Sequence, residues 1–310
     1  MPQGPLASIL DAIGSTPLLN LDGLWVKAEY LNPSGSIKAR MARYIIERAE
    51  REGLLQPGDT IVEASSGNTG NAMSMVAAVK GYRMMVVTPE GLSPERTAIS
   101  VAFGAEVVNV GNFHVNRALD FVLDMGSRPG FFAPRQFENE WNVDENREWL
   151  GRELIDQLEG RIPDAFVMGV GTGGTLIGVG QAIRRVNPDA LIVALEPAES
   201  CTISCGDVDL HRIEGIADGF VPPIYARHAA EVSRVVTVSS EDAEAEMYRL
   251  ARDYGLLVGP SSGANVVAAT QLRDELGSQA TIVTILCDEG EKYLSDHFMH
   301  LVTGATRALD

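Results

Sequence analysis

From about residue 60 onward, short apolar and β-branched runs alternate with longer segments whose apolar residues recur at helical spacing. Thr60-Ile61-Val62-Glu63, Met84 to Thr88, Ala165 to Val170, Leu191 to Leu195, Arg234 to Val238 and Thr281 to Leu286 read as strands. Met73 to Val79, Gly174 to Arg185, Asp242 to Tyr254 and Asn265 to Leu276 read as helices. Ala39 to Glu52 is a further helical stretch. This alternation predicts parallel sheets flanked by helices. The polar, acidic stretch from Glu138 to Trp149 carries two tryptophans and reads as a connector between two halves, so a domain boundary is placed there.

Ligands of open α/β sheets lie at the carboxyl ends of strands, which directs attention to the strand-to-helix loops. After Ala165 to Val170 comes Gly171-Thr172-Gly173-Gly174-Thr175 and then an apolar helix. Glycines let backbone N–H groups converge on an anion, and the helix N-terminus adds its positive dipole end, so this is a phosphate cradle. Gly169, Gly171 and Gly174 also satisfy G-x-G-x-x-G, with Glu196 at the end of the next strand where a ribose-binding acid belongs. A nicotinamide-binding oxidoreductase therefore stays open on this loop alone, beside the bland reading of glycines that merely let a helix pack close.

Two further loops need explaining. Lys38 follows Pro33-Ser34-Gly35-Ser36 and opens a helix, where a lone lysine is ordinarily a solvated first-turn residue. After the strand Thr60 to Glu63 comes Ala64-Ser65-Ser66-Gly67-Asn68-Thr69-Gly70, again opening a helix. Its hydroxyl and amide donors at a helix N-terminus suit a carboxylate, whereas N-capping accounts for one serine only.

At 310 residues the chain accommodates one large α/β unit or two modest domains. Its hydrophobic share of 45% and charged share of 22% are those of a globular protein, which sets aside disorder and coiled coil. The formal charge of -17 repels nucleic-acid phosphates and anionic lipid, so neither nucleic acid nor membrane is an expected partner. No apolar run approaches the ~20 residues of a membrane helix, and Met1 to Leu10 lacks the pattern of a signal peptide, so a cytoplasmic location is expected. Cys201, Cys205 and Cys287 are too few and too irregular for a disulfide framework or a thiolate zinc site, and His297 and His300 read as plain surface residues. No metal is expected.

Taken in order along the chain, Ile13-Gly14-Ser15-Thr16-Pro17-Leu18, Asn32 to Lys38, Ser66-Gly67-Asn68-Thr69-Gly70, Gly171 to Thr175, Gly215-Ile216, Ser261-Ser262-Gly263-Ala264 and Gly290-Glu291-Lys292-Tyr293-Leu294-Ser295 form a recognisable series. The sequence resembles the fold-type II pyridoxal-phosphate enzymes, and within them the cysteine synthase (O-acetylserine sulfhydrylase) and cystathionine β-synthase group. The resemblance implies two three-layer α/β/α domains with mostly parallel sheets, like the tryptophan synthase β-subunit. Residues 38–142 would form a smaller mobile domain, and 1–37 with 143–310 the larger domain that binds the cofactor phosphate.

By the same resemblance Lys38 carries pyridoxal 5'-phosphate as a Schiff base and acts as the catalytic base, while Gly171, Thr172, Gly173, Gly174 and Thr175 hold the phosphate. Asn68 would face the cofactor's phenolic oxygen and Ser261 its ring nitrogen. Ser65, Ser66, Asn68, Thr69, Gln136 and Gly215 would bind the amino-acid substrate. A neutral hydroxyl such as Ser261 stabilises a protonated ring less than a carboxylate would, which suits β-elimination and replacement. The implied reaction joins an activated serine to a small nucleophile, sulfide in the simplest case, to give cysteine or a related β-substituted alanine, and the implied assembly is a homodimer. No arginine in these loops is obviously dedicated to a phosphate leaving group, which favours O-acetylserine over O-phosphoserine, with Arg96, Arg135 and Arg212 the residues able to overturn this. Cystathionine β-synthase and diaminopropionate synthase chemistry are the near alternatives.

Three departures from the family pattern stand out. Ala39 replaces a commonly acidic residue after the lysine. The segment after Gln136-Phe137 lacks the expected His and Thr-Thr-Gly-Pro-Glu. Asp218, in Gly215-Ile216-Ala217-Asp218-Gly219-Phe220, stands where small residues are common, and a carboxylate there would repel an anion or greet a cation.

Overall fold

The computed structural model describes residues 4–90, 93–112 and 115–305. In chain order the strands are β1 (Leu18–Leu21), β2 (Leu24–Ala28), β3 (Thr60–Ala64), β4 (Arg83–Glu90), β5 (Glu106–Asn112), β6 (Phe131–Phe132), β7 (Ala165–Gly169), β8 (Leu191–Pro197), β9 (Arg234–Val238) and β10 (Ile282–Leu286). The helices are α1 (Lys38–Arg51), α2 (Asn68–Lys80), α3 (Pro94–Ala102), α4 (Val115–Gly126), α5 (Trp141–Glu145), α6 (Gly151–Gln157), α7 (Gly174–Arg184), α8 (Pro223–His228), α9 (Ser240–Tyr254), α10 (Pro260–Leu276) and α11 (Met299–Ala305).

Two sheets result, one of order β1-β2-β10-β7-β8-β9 and one of order β5-β4-β3-β6. Every pairing is parallel except the β1–β2 hairpin, so the expected mixed α/β architecture with mostly parallel sheets is what the chain adopts. Each of the six expected strands is present. β3, β7 and β10 are buried at every position, as strands covered by helices on both faces must be. One core joins β3 and β4 to α1 and α2 through Ile45, Ile46, Ile61, Met73 and Val86. Two others lie on opposite faces of the six-stranded sheet, around α9 and α10 on one side and α7 on the other.

Between Glu138 and Trp149 the segment expected as an irregular connector is largely helical. Residues 141–157 form a continuous helical passage, α5, a π-helical turn over Asn146–Leu150, and α6. Its inward side chains Val143, Leu150 and Leu154 are buried against α7. Contact is close because Gly151 has no side chain: a Cβ there would lie 2.6 Å from the Cβ of Ala182. Trp141 and Trp149, which made the segment look irregular, lie under Arg48 and Arg40 as cation–π partners.

Two smaller expectations also change. His297 is buried, with its ring nitrogens 2.9 Å from Glu244 and 3.0 Å from Glu214. Burial opposes a charge on His297, yet the two carboxylates outweigh it and raise its pKa. Cys201 and Cys205, four residues apart, are joined as a disulfide. With Asp207 they make up the one group of three potential metal-ligand atoms among the described residues, and bonded sulfurs are not thiolates.

Candidate active site

The carboxyl ends of β3, β4, β7 and β10 and the N-termini of α1, α2, α7 and α10 converge on one cleft, ≈ 950 Å³ with its open mouth included. Lys38, Ser65, Ser66, Asn68, Thr69, Gln136, Gly171, Thr172, Gly173, Thr175, Gly215, Asp218 and Ser261 all line it. Of the residues assigned to the cofactor and the substrate, Gly174 alone stands behind the wall: it is buried, and a Cβ there would strike the amide of Asn142.

Lys38 is the first residue of α1. The turn before it runs through two successive left-handed residues, Ser34 at φ 69 and Gly35 at φ 67. Lys292 Nζ donates to the carbonyls of Ser34 (2.5 Å) and Gly35 (3.1 Å), and the Ile37 N–H donates to the Cys287 carbonyl. The lysine backbone is thus fixed from the opposite end of the chain, while its own Nζ has no hydrogen-bond or ion-pair partner among the described residues.

β7 delivers the glycine loop to the N-terminus of α7. A Cβ on Gly171 would lie 2.6 Å from the Gly215 carbonyl, and Gly173 sits at φ 88, so neither position accepts a side chain without movement. Thr172 Oγ1 accepts from Asn142 Nδ2 (2.9 Å) and from the Gly174 N–H (3.2 Å), which locks the loop to α5. Glu196, the acid a dinucleotide site would require, is turned away and occupied. It is buried and accepts the backbone N–H groups of Ile203 and Ser204 at 2.7 and 2.9 Å.

In the loop before α2, Ser65 Oγ accepts from the N–H groups of Gly67 and Gly70, so it caps the turn and has only its proton left to offer. Thr69 Oγ1 donates to Gln136 Oε1 (2.6 Å), and Gln136 Nε2 donates to the Ala64 carbonyl (2.8 Å). Asn68 is held at both ends of its amide, donating to Asp288 Oδ2 (2.5 Å) and accepting from Lys292 Nζ (2.9 Å).

Sequence reasoning missed Cys287, Asp288 and Tyr293, although all three line the cleft. Burial raises the Asp288 carboxyl, and its Oδ1 has no partner. The neighbouring Cys287 thiol is pushed up to about 12 by burial, with Asp288 adding to it. A signal was available for Cys287 and Asp288, which follow directly on β10 at the carboxyl edge of its sheet. Asp218 is likewise pushed above the usual carboxylate range by burial, against the pull of His211 and Lys38. Among the three arginines that bear on the leaving group, Arg135 and Arg212 are exposed and paired with Glu138 and Glu244. Arg96 reaches the cleft but spends its guanidinium on Ser93 and Asp296.

The sequence pattern of a family described as pyridoxal-phosphate dependent enzyme matches residues 9–288. A cysteine synthase of Staphylococcus aureus is 41% identical over 304 residues, which is 95% of this chain and 97% of that protein. The chain belongs to this family of pyridoxal-phosphate dependent enzymes. Among solved structures, an O-ureido-L-serine synthase superposes with a TM-score of 0.91 at 36% identity, over 99% of this chain and 98% of its own. An O-acetylserine dependent cystathionine β-synthase from Helicobacter pylori gives 0.90 at 32% identity, over 95% and 99%.

The site fits the family's cofactor. Lys38 offers an unpartnered amine, residues 171–175 offer an anion cradle at a helix N-terminus, and Asp288 Oδ1 is a buried acceptor left unsatisfied. Ser261, 4% exposed in the first turn of α10, presents a neutral hydroxyl to the same cleft.

Proposed function

We propose that this enzyme carries out β-replacement on O-acetylserine with hydrosulfide, using pyridoxal phosphate held on Lys38. The single observation that carries the reading is the meeting of the Lys38 amine, the Gly171 to Thr175 loop and Ser261 in one cleft of a cysteine synthase relative. When bound, the cofactor supplies an electron sink for the substrate's α-carbon. Lys38 Nζ then takes the α-proton as general base. The 171–175 loop anchors the phosphate, Asn68 faces the phenolic oxygen, and Ser66, Thr69 and Gln136 grip the substrate carboxylate with Ser65 and Gly215 beside them. Residues 38–142, carried on the four-stranded sheet, close over that carboxylate as a small domain and exclude water.

An acetyl leaving group fits better than phosphate, because Arg96, the arginine of the three that reaches the cleft, is already paired. The homodimer and the cytoplasmic location implied by the sequence belong to the same reading. Among the described residues no helix is long and apolar enough to cross a membrane.

A second reading rests on Asp218. A carboxyl at the cleft wall disfavours hydrosulfide and favours a neutral or cationic nucleophile, as in cystathionine or diaminopropionate formation.

The test is to supply the purified enzyme with O-acetylserine, O-phosphoserine and serine in turn, then sulfide, homocysteine and ammonia, and to identify the amino-acid product. Cysteine from O-acetylserine and sulfide is the expected result. A colourless protein indifferent to borohydride, or full turnover by Lys38→Ala, would refute the reading.

A further inference from the structure

Glu63, the fourth residue of β3, is fully buried and forms no ion pair among the described residues. Its Oε1 accepts the Ala64 N–H at 2.9 Å, and its Oε2 accepts the Gln136 N–H at 3.1 Å. The backbone of Arg135, the residue before Gln136, also favours the charged form of Glu63. Arg135 is a left-handed residue at φ 57, so the turn it makes carries strain and needs an acceptor to hold it. On either side of Glu63 lie the two segments assigned to the substrate carboxylate. The Ser65 loop begins two residues after it, and the Gln136 side chain returns from the turn to bond Ala64 and Thr69.

We infer that Glu63 is a positioning residue for the α-carboxylate site, the buried acceptor that fixes the Arg135–Gln136 turn against the Ser65–Gly70 loop. The inference rests on the reading of Gln136 and Thr69 as carboxylate ligands. Glu63 touches no substrate, and it acts through the backbone it holds. A glutamine in its place accepts at one oxygen and sets an amide donor against a backbone donor, which leaves one buried N–H unpaired.

The environment of Glu63 makes the device sensitive to pH. Beyond the turn lies a small apolar pocket whose wall includes Glu63, Leu119, Val122, Phe137 and Phe220. Burial raises the Glu63 carboxyl to about 7, against the pull of its backbone donors. Arg135 is the charged group that acts on it, and the exposed Arg135 guanidinium is itself paired with Glu138. Protonation therefore costs the turn an acceptor within the ordinary working range.

The experiment measures single-turnover kinetics of the first half-reaction of the holoenzyme, with the activated serine and no second nucleophile, from pH 6 to 9, in wild type, Glu63→Gln and Gln136→Ala, reading its maximal rate as kcat and its half-saturating substrate concentration as KM. In Glu63→Gln the KM is expected to rise about tenfold or more while kcat stays within about threefold of wild type, the pattern of lost ground-state binding. In wild type the affinity should strengthen as pH rises through about 7, and Glu63→Gln should lose that limb. An unchanged KM in folded Glu63→Gln, with Gln136→Ala raising KM as expected, overturns the inference and leaves the carboxylate reading standing. An unchanged KM in Gln136→Ala overturns both. Should Glu63→Gln fail to fold, the wild-type profile decides, and a flat profile through pH 7 overturns the inference.

Discussion

Arg40 and Glu29 form a two-armed ion pair with no solvent access, Nε to Oε2 at 2.7 Å and Nη2 to Oε1 at 2.8 Å. The other face of the same guanidinium takes Glu153 at 2.9 Å through each terminal nitrogen. Arg40 lies two residues beyond Lys38, so this network fixes the first turn of the helix that carries Lys38. Replacing one member of a buried pair strands the other. Arg40→Met is expected to cost roughly 3–5 kcal/mol of stability, towards the lower end because Thr16 and Asn32 still donate to Glu29. Urea denaturation checks this. Arg40→Lys should recover little, since an ammonium cannot serve both carboxylates two-handed.

The same network sets an acid limit. Burial works against ionisation of Glu153, yet Arg40 and Lys27 outweigh it and hold its carboxyl at about 2, against an ordinary 4.5. A depressed carboxyl contributes stability that is complete above pH 4.5 and is lost as pH falls towards 2. The loss is on the order of 3 kcal/mol, and Glu153→Gln should be less stable than wild type at pH 7 and nearly level with it at pH 2. Thermal melts across that range decide the matter.

At the glycine loop proposed to hold the phosphate, Gly171→Ala would place a methyl 2.6 Å from the Gly215 carbonyl. Neither backbone can yield freely, so the cradle and the mouth loop must part. Cofactor affinity should fall by about tenfold or more while the fold persists, since the loop rather than the core absorbs the shift. Titration of the apoenzyme with pyridoxal phosphate, followed by absorbance, checks this. A wild-type affinity would show the contact to be soft.

Asp218 makes the second substrate testable. Asp218→Ala removes a carboxyl from the cleft wall, so kcat/KM for hydrosulfide should rise about threefold to tenfold, and the use of neutral or cationic nucleophiles should fall. Competition between sulfide and an amine nucleophile, with products separated by chromatography, reads both changes at once. Equal losses for every nucleophile would mean that Asp218 only shapes the loop.

Strands such as β3, β7 and β10 were legible because their positions are almost all apolar or small, Glu63 of β3 being the exception, and every position is buried. The hairpin of β1 and β2 was missed although Asp22-Gly23 is a strong turn signal, and both residues adopt the positive φ it calls for. The helical character of 141–157 was missed because its outward face is acidic and its tryptophans pair with arginines 93 or more positions earlier, a spacing no local window spans. Lys38, the glycine loop and the Ser65 loop could be found from loop chemistry. Lys292 could not, because what gives it a role is the amide of Asn68, more than 200 residues away.

The strand order carries a consequence for biosynthesis. β10 lies between β2 and β7, so the N-terminal hairpin has no neighbour in its sheet until residues 282–286 have been made. Lys38 and the loop that cradles its helix are translated early, yet the lysine's backbone support from Cys287 and Lys292 arrives only near the end of synthesis. A ribosome-bound chain stopped short of β10 therefore exposes an unpaired sheet edge and an unbraced lysine, which is the stage at which it most needs a chaperone.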